Sequence, residues 1–98
     1  MNAALLSGEG LGVGKRLPLT ERRKQPLRAC VQSAMELYFQ DLDGHRPDGV
    51  YDMVIGQVEH ALLESVMLHM RGNQTRAADA LGINRSTLRK KLKQYDLL

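Results

Sequence analysis

Cysteine is almost absent from this chain, and long apolar stretches are missing altogether. The single cysteine, Cys30, excludes a disulfide within the chain and is typical of a protein of the reducing cytoplasm. No apolar stretch approaches the roughly 18 residues that a membrane span requires. The N-terminus also lacks the order of a secretory signal, because its basic residues follow its apolar ones. We therefore expect a cytoplasmic protein without a membrane partner.

The sequence also lacks the side-chain combinations that catalysis or metal binding would need. Its three histidines are scattered without the i, i+4 spacing of a metal-binding pair, and there is no second thiol. The glycine-rich row at 8–15 looks like a phosphate-binding loop, but Glu9 stands where the first glycine belongs and Arg16 replaces the Ser or Thr. We expect no enzymatic activity, no cofactor and no metal.

Charge is divided unevenly along the 98 residues. Residues 1–28 carry six cations against two acidic side chains, a net charge of +4, whereas residues 29–70 carry one cation against seven acidic ones, a net of −6. Residues 71–98 carry seven cations against two acidic side chains, a net of +5, although the whole chain has only +3. Such asymmetry indicates an assembly core whose two ends face a polyanion. For the N-terminal stretch, a solvated tail is the simpler interpretation.

The first half of the chain predicts a flexible arm followed by two helices. Residues 1–25 are rich in glycine and have no sustained period, which favours flexibility. Pro26 is suited to the first position of a helix that Gly44 ends. Asp48 is a candidate N-cap for a second helix that runs to about Arg71.

The second predicted helix is apolar on most of its circumference, so most of it must be buried. Two sets of side chains extend around it (Tyr51, Val54, Ile55, Val58, Leu62, Ser65 and Val66, then Met53, Ala61, Leu63, Met67, Leu68 and Met70). The chain offers only one other long helix, and a 98-residue chain with 43% apolar residues makes a thin core for a monomer. We therefore predict a homodimer in which residues 26–72 form the dimerisation helices.

The last third of the chain has the spacing of a helix-turn-helix unit. Asn73 and Asn84 are candidate N-caps for helices at 74–81 and 85 to about 95, and Gly82 supplies the positive φ of the turn between them. Small side chains allow close approach, and leucine and isoleucine side chains provide the apolar contacts (Ala77, Ala78, Leu81, Ile83, Leu88 and Leu92). We predict an all-α fold of four helices, with a homodimeric helical core and a DNA-binding helix-turn-helix at 73–98.

The N-terminal half of the last helix carries the candidate base contacts. Arg85 can donate two parallel hydrogen bonds to a guanine edge, and Asn84 can reach the adjacent base. Candidate phosphate contacts surround them on both helices of the unit (Asn73, Thr75, Thr87, Arg89, Lys90, Lys91 and Lys93). The plainer alternative is that the asparagines only cap their helices and the lysines only favour the dipole at the C-terminal end.

The segments Gln25–Arg28, Arg71–Ala78 and Gly82–Lys93 closely resemble the Fis (factor for inversion stimulation) family of bacterial nucleoid-associated proteins. The resemblance implies a homodimer whose first two helices from each subunit form a four-helix core, flanked by two helix-turn-helix units that bend DNA. It implies base contacts by Asn84 and Arg85, and phosphate contacts by six of the residues given above (Asn73, Thr75, Thr87, Arg89, Lys90 and Lys91). It also implies that a surface at the turn before the third helix touches RNA polymerase (Arg71, Gly72 and Gln74).

Two features depart from the family pattern. Ala61 stands where relatives have a kinking proline, so the long helix is expected to be straighter. The arm at 1–25 shows no recognisable match to the family hairpin that stimulates DNA invertases, which argues against that partner.

We therefore predict a cytoplasmic, nucleoid-associated homodimer that binds and bends double-stranded DNA and regulates transcription, with a DNA invertase as a further candidate partner for site-specific recombination. One alternative is a Fis-type transcription factor dedicated to one locus. The other is a helical adaptor that binds protein and not DNA.

Overall fold

The computed structural model describes Leu19 and residues 25–98. Within them the chain forms four α-helices, which we label α1 (Leu27–Asp41), α2 (Val50–His69), α3 (Gln74–Leu81) and α4 (Arg85–Gln94). The prediction of an all-α fold with a C-terminal helix-turn-helix is confirmed. The predicted flexible arm lies outside the described residues, except for Leu19 and Gln25.

The chain divides into two compact units, Met1–Pro47 and Asp48–Leu98. The first unit contains α1, which has no buried residue. Large apolar side chains of this helix remain in solvent, with Leu37 60% exposed and Phe39 51% exposed. Helix α1 therefore presents apolar surface that its own unit does not cover.

The start of α1 corrects the sequence prediction by one residue. Pro26 is the N-cap, with φ −65° and ψ 151°, and not the first helical residue. The fixed φ of proline suits both positions, but the extended ψ leaves Pro26 outside the helix. Its carbonyl oxygen accepts a hydrogen bond from the Ala29 amide at 2.9 Å. The helix ends at Asp41, and Gly44 lies beyond it with φ 85°.

Helix α2 begins after Gly49, so the prediction of Asp48 as its N-cap is wrong. Gly49 is left-handed, with φ 62°, and its carbonyl oxygen accepts a hydrogen bond from the Met53 amide at 3.0 Å. Glycine adopts this conformation without the steric cost that a side chain would add. The helix then continues without interruption through Ala61.

The C-terminal end of α2 lies two residues before the predicted Arg71. Its last helical residue is His69, and Arg71 and Gly72 both have positive φ, at 53° and 79°. The Gly72 amide donates a hydrogen bond to the Met67 carbonyl oxygen at 2.9 Å, which satisfies the helix end. This turn leads directly into α3, whose N-cap is Asn73.

The core of the second unit lies where α2, α3 and α4 meet. Five side chains are buried there (Leu63, Ala77, Ala78, Leu88 and Leu92). Side chains from α2, from the end of α3, from the connecting turns and from the residues after α4 pack around them (Val66, Met67, Met70, Leu81, Ile83, Tyr95 and Leu97). Full burial of each leucine stabilises the fold by about 1.5–3 kcal/mol, and the small alanines allow the helices to approach closely. The predicted apolar contacts of the helix-turn-helix are confirmed.

Much of the apolar surface of α2 remains in solvent. Leu63 is the only buried residue of this helix. Tyr51 is 75% exposed, Leu62 is 47% exposed and Leu68 is 80% exposed. One side of α2 thus packs on the helix-turn-helix, while the predicted stripe around Tyr51 and Leu62 does not. No helix among the described residues has the length and hydropathy to span a membrane.

Candidate nucleic-acid interface

The turn between α3 and α4 sets the angle at which α4 is presented. Gly82 has φ 75°, as the sequence predicted, and its amide donates a hydrogen bond to the Ala78 carbonyl oxygen at 2.9 Å. The Ile83 amide donates to the same oxygen at 3.1 Å. A side chain at position 82 would be strained by this backbone conformation.

The two asparagines that precede α3 and α4 use their side chains differently. The Asn73 Oδ1 atom accepts a hydrogen bond from the Arg76 amide at 3.0 Å, so this side chain caps α3. Asn84 occupies the N-cap position of α4, with φ −66° and ψ 145°, but its side chain makes no capping hydrogen bond. The amide group of Asn84 is therefore left for a partner, beside the exposed Arg85 at the first turn of α4.

Most of the predicted phosphate contacts of α4 lie on the side opposite its buried leucines. Leu88 and Leu92 are fully buried, while Arg89, Lys90 and Lys93 are exposed. The three cations surround a shallow depression together with Ser86 and Leu98. Thr87 is half-buried at the edge of this side, and Thr75 is exposed at the start of α3. Three cations and no acidic side chain line this depression, so it can bind an anionic partner.

A hydrogen bond joins the two helices of the unit on their exposed side. The Arg89 Nη1 atom donates to the Gln74 Oε1 atom at 3.0 Å. Gln74, predicted as a polymerase contact, is thereby half-buried against α4. Arg71 and Gly72, the other two members of that predicted surface, are exposed at the turn.

Lys91 is separated from the other predicted phosphate contacts. Its Nζ atom forms an ion pair with the Glu59 Oε2 atom of α2 at 2.6 Å. The Tyr95 hydroxyl donates a hydrogen bond to the Glu59 Oε1 atom at 2.7 Å. The bond from Lys91 has the larger effect on the pKa of the Glu59 carboxyl and the bond from Tyr95 the smaller. Both hold this pKa below its usual value. The bond to Glu59 also raises the pKa of Tyr95.

Sequence reasoning missed Glu59 and Tyr95 as parts of this surface. A partial signal was available, since Lys91 and Tyr95 are four residues apart and share one side of α4. The ring of His60 also stacks on Tyr95, with ring centroids 5.4 Å apart and an interplanar angle of 19°. The contacts of Lys91 and Tyr95 therefore lead to α2 and away from the exposed side of α4.

No group of histidine, cysteine or acidic side chains in the described part of the chain could hold a metal ion. The glycine-rich row at 8–15 lies outside the described residues.

Two regions of the chain match models of known protein families. Residues 54–95 match the model of the Fis family of bacterial regulatory proteins. Residues 1–47 match the model of the N-terminal domain of DNA-binding protein Fis. The second match corrects our sequence analysis, which found no recognisable family pattern in the arm.

Individual relatives give the same result. The chain is 53% identical to the DNA-binding protein Fis of Glaesserella parasuis over 73 residues, and this aligned segment covers 74% of each chain. It is 52% identical over 73 residues to the protein of the same name from Actinobacillus succinogenes, again 74% of each chain. It is 44% identical to the DNA-binding protein Fis of Haemophilus influenzae over 91 residues, and this aligned segment covers 93% of the chain and 92% of the relative.

Proposed function

The chain belongs to the Fis family, and we propose that it is a dimeric DNA-binding protein that bends double-stranded DNA. The observation that carries this proposal is the exposed side of α4. At the N-terminal end of this side lie the side chains of Asn84 and Arg85, which are available to a partner. The remainder is a cationic surface opposite the buried leucines. A helix with these properties fits the major groove, with its N-terminal end toward the base edges.

We assign the base contacts to Asn84 and Arg85. An exposed arginine at the first turn of α4 can donate two parallel hydrogen bonds to a guanine. The phosphate contacts are assigned to Asn73, Thr75, Thr87, Arg89, Lys90 and Lys93. Asn73 contributes through the start of α3, since its side-chain oxygen already caps that helix.

Dimerisation is supported by the uncovered side of α2. Tyr51, Ile55 and Leu62 are 75%, 40% and 47% exposed, on the most apolar of the four described helices. Exposed apolar surface of this extent on one helix is typical of an interface. A second copy presents an identical helix, so the same stripe can pair with itself about a twofold axis.

Bending follows from the twofold arrangement that the family resemblance implies. Two recognition helices that lie closer than one turn of straight DNA, about 34 Å, reach successive major grooves only when the duplex is bent. The sequence preference of such a protein depends on how easily the DNA deforms as well as on base edges.

We further propose that the protein acts on the chromosome as a nucleoid-associated regulator of transcription. Arg71 and Gly72 form an exposed turn that is accessible to RNA polymerase. Stimulation of a DNA invertase would depend on the arm, which lies outside the described residues.

The salt dependence of binding to a short duplex tests the proposed function. A dimer that neutralises about 6–10 phosphates gives a log–log slope of the association constant against salt between about −5 and −9. Fluorescence anisotropy of a labelled duplex at several salt concentrations measures this slope. An affinity that is constant between low and physiological salt would exclude the proposed cationic interface.

A further inference from the structure

Glu59 is the one acidic side chain of α2 that contacts α4 through both of its carboxylate oxygens. Lys91 lies 2.6 Å from Oε2, and the Tyr95 hydroxyl lies 2.7 Å from Oε1. The side chains of Lys91 and Glu59 are 33% and 22% exposed, so water screens this pair only in part. Lys91 of α4 and Tyr95, the C-cap of that helix, are thus both bonded to a single residue of α2.

The helical periodicity places Lys91 away from the other cations of α4. Successive residues turn by about 100°, so Lys91 and Tyr95 lie beside the buried Leu88 and Leu92. Lys90 is one residue earlier and points about 100° away, toward the exposed depression. Two adjacent lysines therefore have different surroundings, one an acidic partner and the other solvent.

We propose that Glu59 is a positioning residue for DNA binding, which fixes the orientation of α4 on α2 through Lys91 and Tyr95 and keeps Lys91 out of the phosphate contacts. This inference rests on the proposed function, and it assigns to Lys91 a role different from the one that its place in a cationic run suggests.

The charge balance of the complex favours persistence of the pair. If Lys91 left Glu59 for a phosphate, a half-buried carboxylate would lose its cation while a polyanion approached it. An unpaired carboxylate in such a position is costly, and its repulsion from the phosphates would add to that cost. Lys91 therefore stabilises the complex most when it stays with Glu59.

A matched pair of variants separates the two kinds of lysine. Lys90→Met and Lys91→Met remove the same charge from adjacent positions and keep an apolar stem of similar length. Each is measured for the slope of log association constant against log salt on one duplex. Lys90→Met should make the slope less steep by about 1 per protomer, or about 2 per dimer, because one phosphate contact is lost from each subunit.

Lys91→Met should leave the slope unchanged and weaken binding by roughly two- to fivefold at every salt concentration, the effect expected from loss of one partly exposed ion pair. Two phosphate contacts would give the same change in slope, so a difference between the two slopes separates the roles of the two lysines. If Lys91→Met changed the slope as much as Lys90→Met, Lys91 would be a phosphate contact and the proposal would be overturned.

Glu59→Gln tests the positioning role from the other side of the pair. The amide oxygen can still accept the Tyr95 hydroxyl, but Lys91 loses its anionic partner. We expect a loss of affinity similar to that of Lys91→Met, and a double variant no weaker than either single one. Fully additive losses would show that the two residues do not act through each other, and would contradict the proposal.

Failure of the proposed function is recognised separately. If the wild-type protein binds no duplex at low salt, that function fails whatever the variants do. The coupling of Glu59 to Lys91 is then still measured from the urea midpoints of the wild type, Lys91→Met, Glu59→Gln and the double variant. Additive shifts in those midpoints would overturn the structural half of the inference, and circular dichroism shows whether each variant is folded.

Discussion

Helices α2 and α4 of this chain contrast in composition and burial. Helix α4 carries five cationic residues among ten, yet two of its leucines are fully buried. Helix α2 is rich in apolar side chains over its 20 residues, yet only Leu63 is buried. Burial therefore follows the available partner surface and not the apolar content of a helix. The partner of α4 lies within its own unit, and we propose that much of the partner surface of α2 belongs to a second copy.

The largest effect should come from removing an apolar contact that the chain makes by itself. Leu88→Ala empties a fully buried position between the helices of the second unit. Substitutions of this kind cost about 2–5 kcal/mol in the free energy of unfolding. Urea denaturation followed by circular dichroism measures the loss. Leu98→Ala is the control, because Leu98 lies outside α2, is 56% exposed and should change stability by less than about 0.5 kcal/mol. Equal losses for the two variants would contradict the described core.

A second prediction concerns the side of α2 that its own unit leaves uncovered. Leu62→Asp introduces a charge where Leu62 is 47% exposed. In an isolated unit the change is tolerated, but in the proposed dimer it buries a carboxylate and should weaken association by at least about tenfold, or about 1.4 kcal/mol. Light scattering coupled to gel filtration should show a wild-type dimer and a partly monomeric variant. A wild-type monomer at micromolar concentration would exclude the dimer.

The contact surface of α4 yields a third prediction. Arg85→Ala should reduce the affinity for a preferred site by about 1–3 kcal/mol and relax the base preference at one position. Gel shifts with a series of single-base variants measure both effects. A loss that is equal for every sequence would show that Arg85 contacts only phosphates.

The smallest effect should be the pH dependence of the stability that the bonds of Glu59 with Lys91 and Tyr95 provide between α2 and α4. The pKa of Glu59 is lowered from 4.5, so its contribution to stability is present above that pH and is lost as the pH falls through the lowered value. The pKa of Tyr95 is raised from 10.0, so its contribution is present below that pH and is lost as the pH rises through the raised value.

Melting temperatures of the wild type and Glu59→Gln across this range measure the effect. The wild type should be the more stable protein between these limits, and the difference should disappear in acid. A difference that stays constant throughout the acid range well below pH 4.5 would show that the carboxylate charge is not involved.

Local chemistry allowed much of the second unit to be predicted from the sequence. Asn73 and Gly82 act at the positions predicted for them, because a capping side chain and a positive φ depend on a few neighbouring residues. The exact starts of α1 and α2 were harder to predict. Pro26 and Gly49 each compete with an adjacent residue for the same role, and one residue of difference costs little energy.

The contacts of Glu59 could not be predicted in the same way. It meets Tyr95 across 36 positions of sequence, and that meeting depends on how α2 packs against α4. Periodicity identifies the side of a helix on which a residue lies, but it does not identify the residue on the opposing helix. Lys91 consequently looked like one more member of a cationic run, although its side chain is paired.

The most direct test of the account is a circular-permutation gel shift, in which one binding site is moved along duplexes of constant length. A dimer that presents two α4 helices to a flexible duplex should slow the complex most when the site lies at the centre and least when it lies at an end. A bound complex whose mobility is independent of the position of the site would contradict the proposed bend. An unshifted duplex at low salt would contradict DNA binding itself.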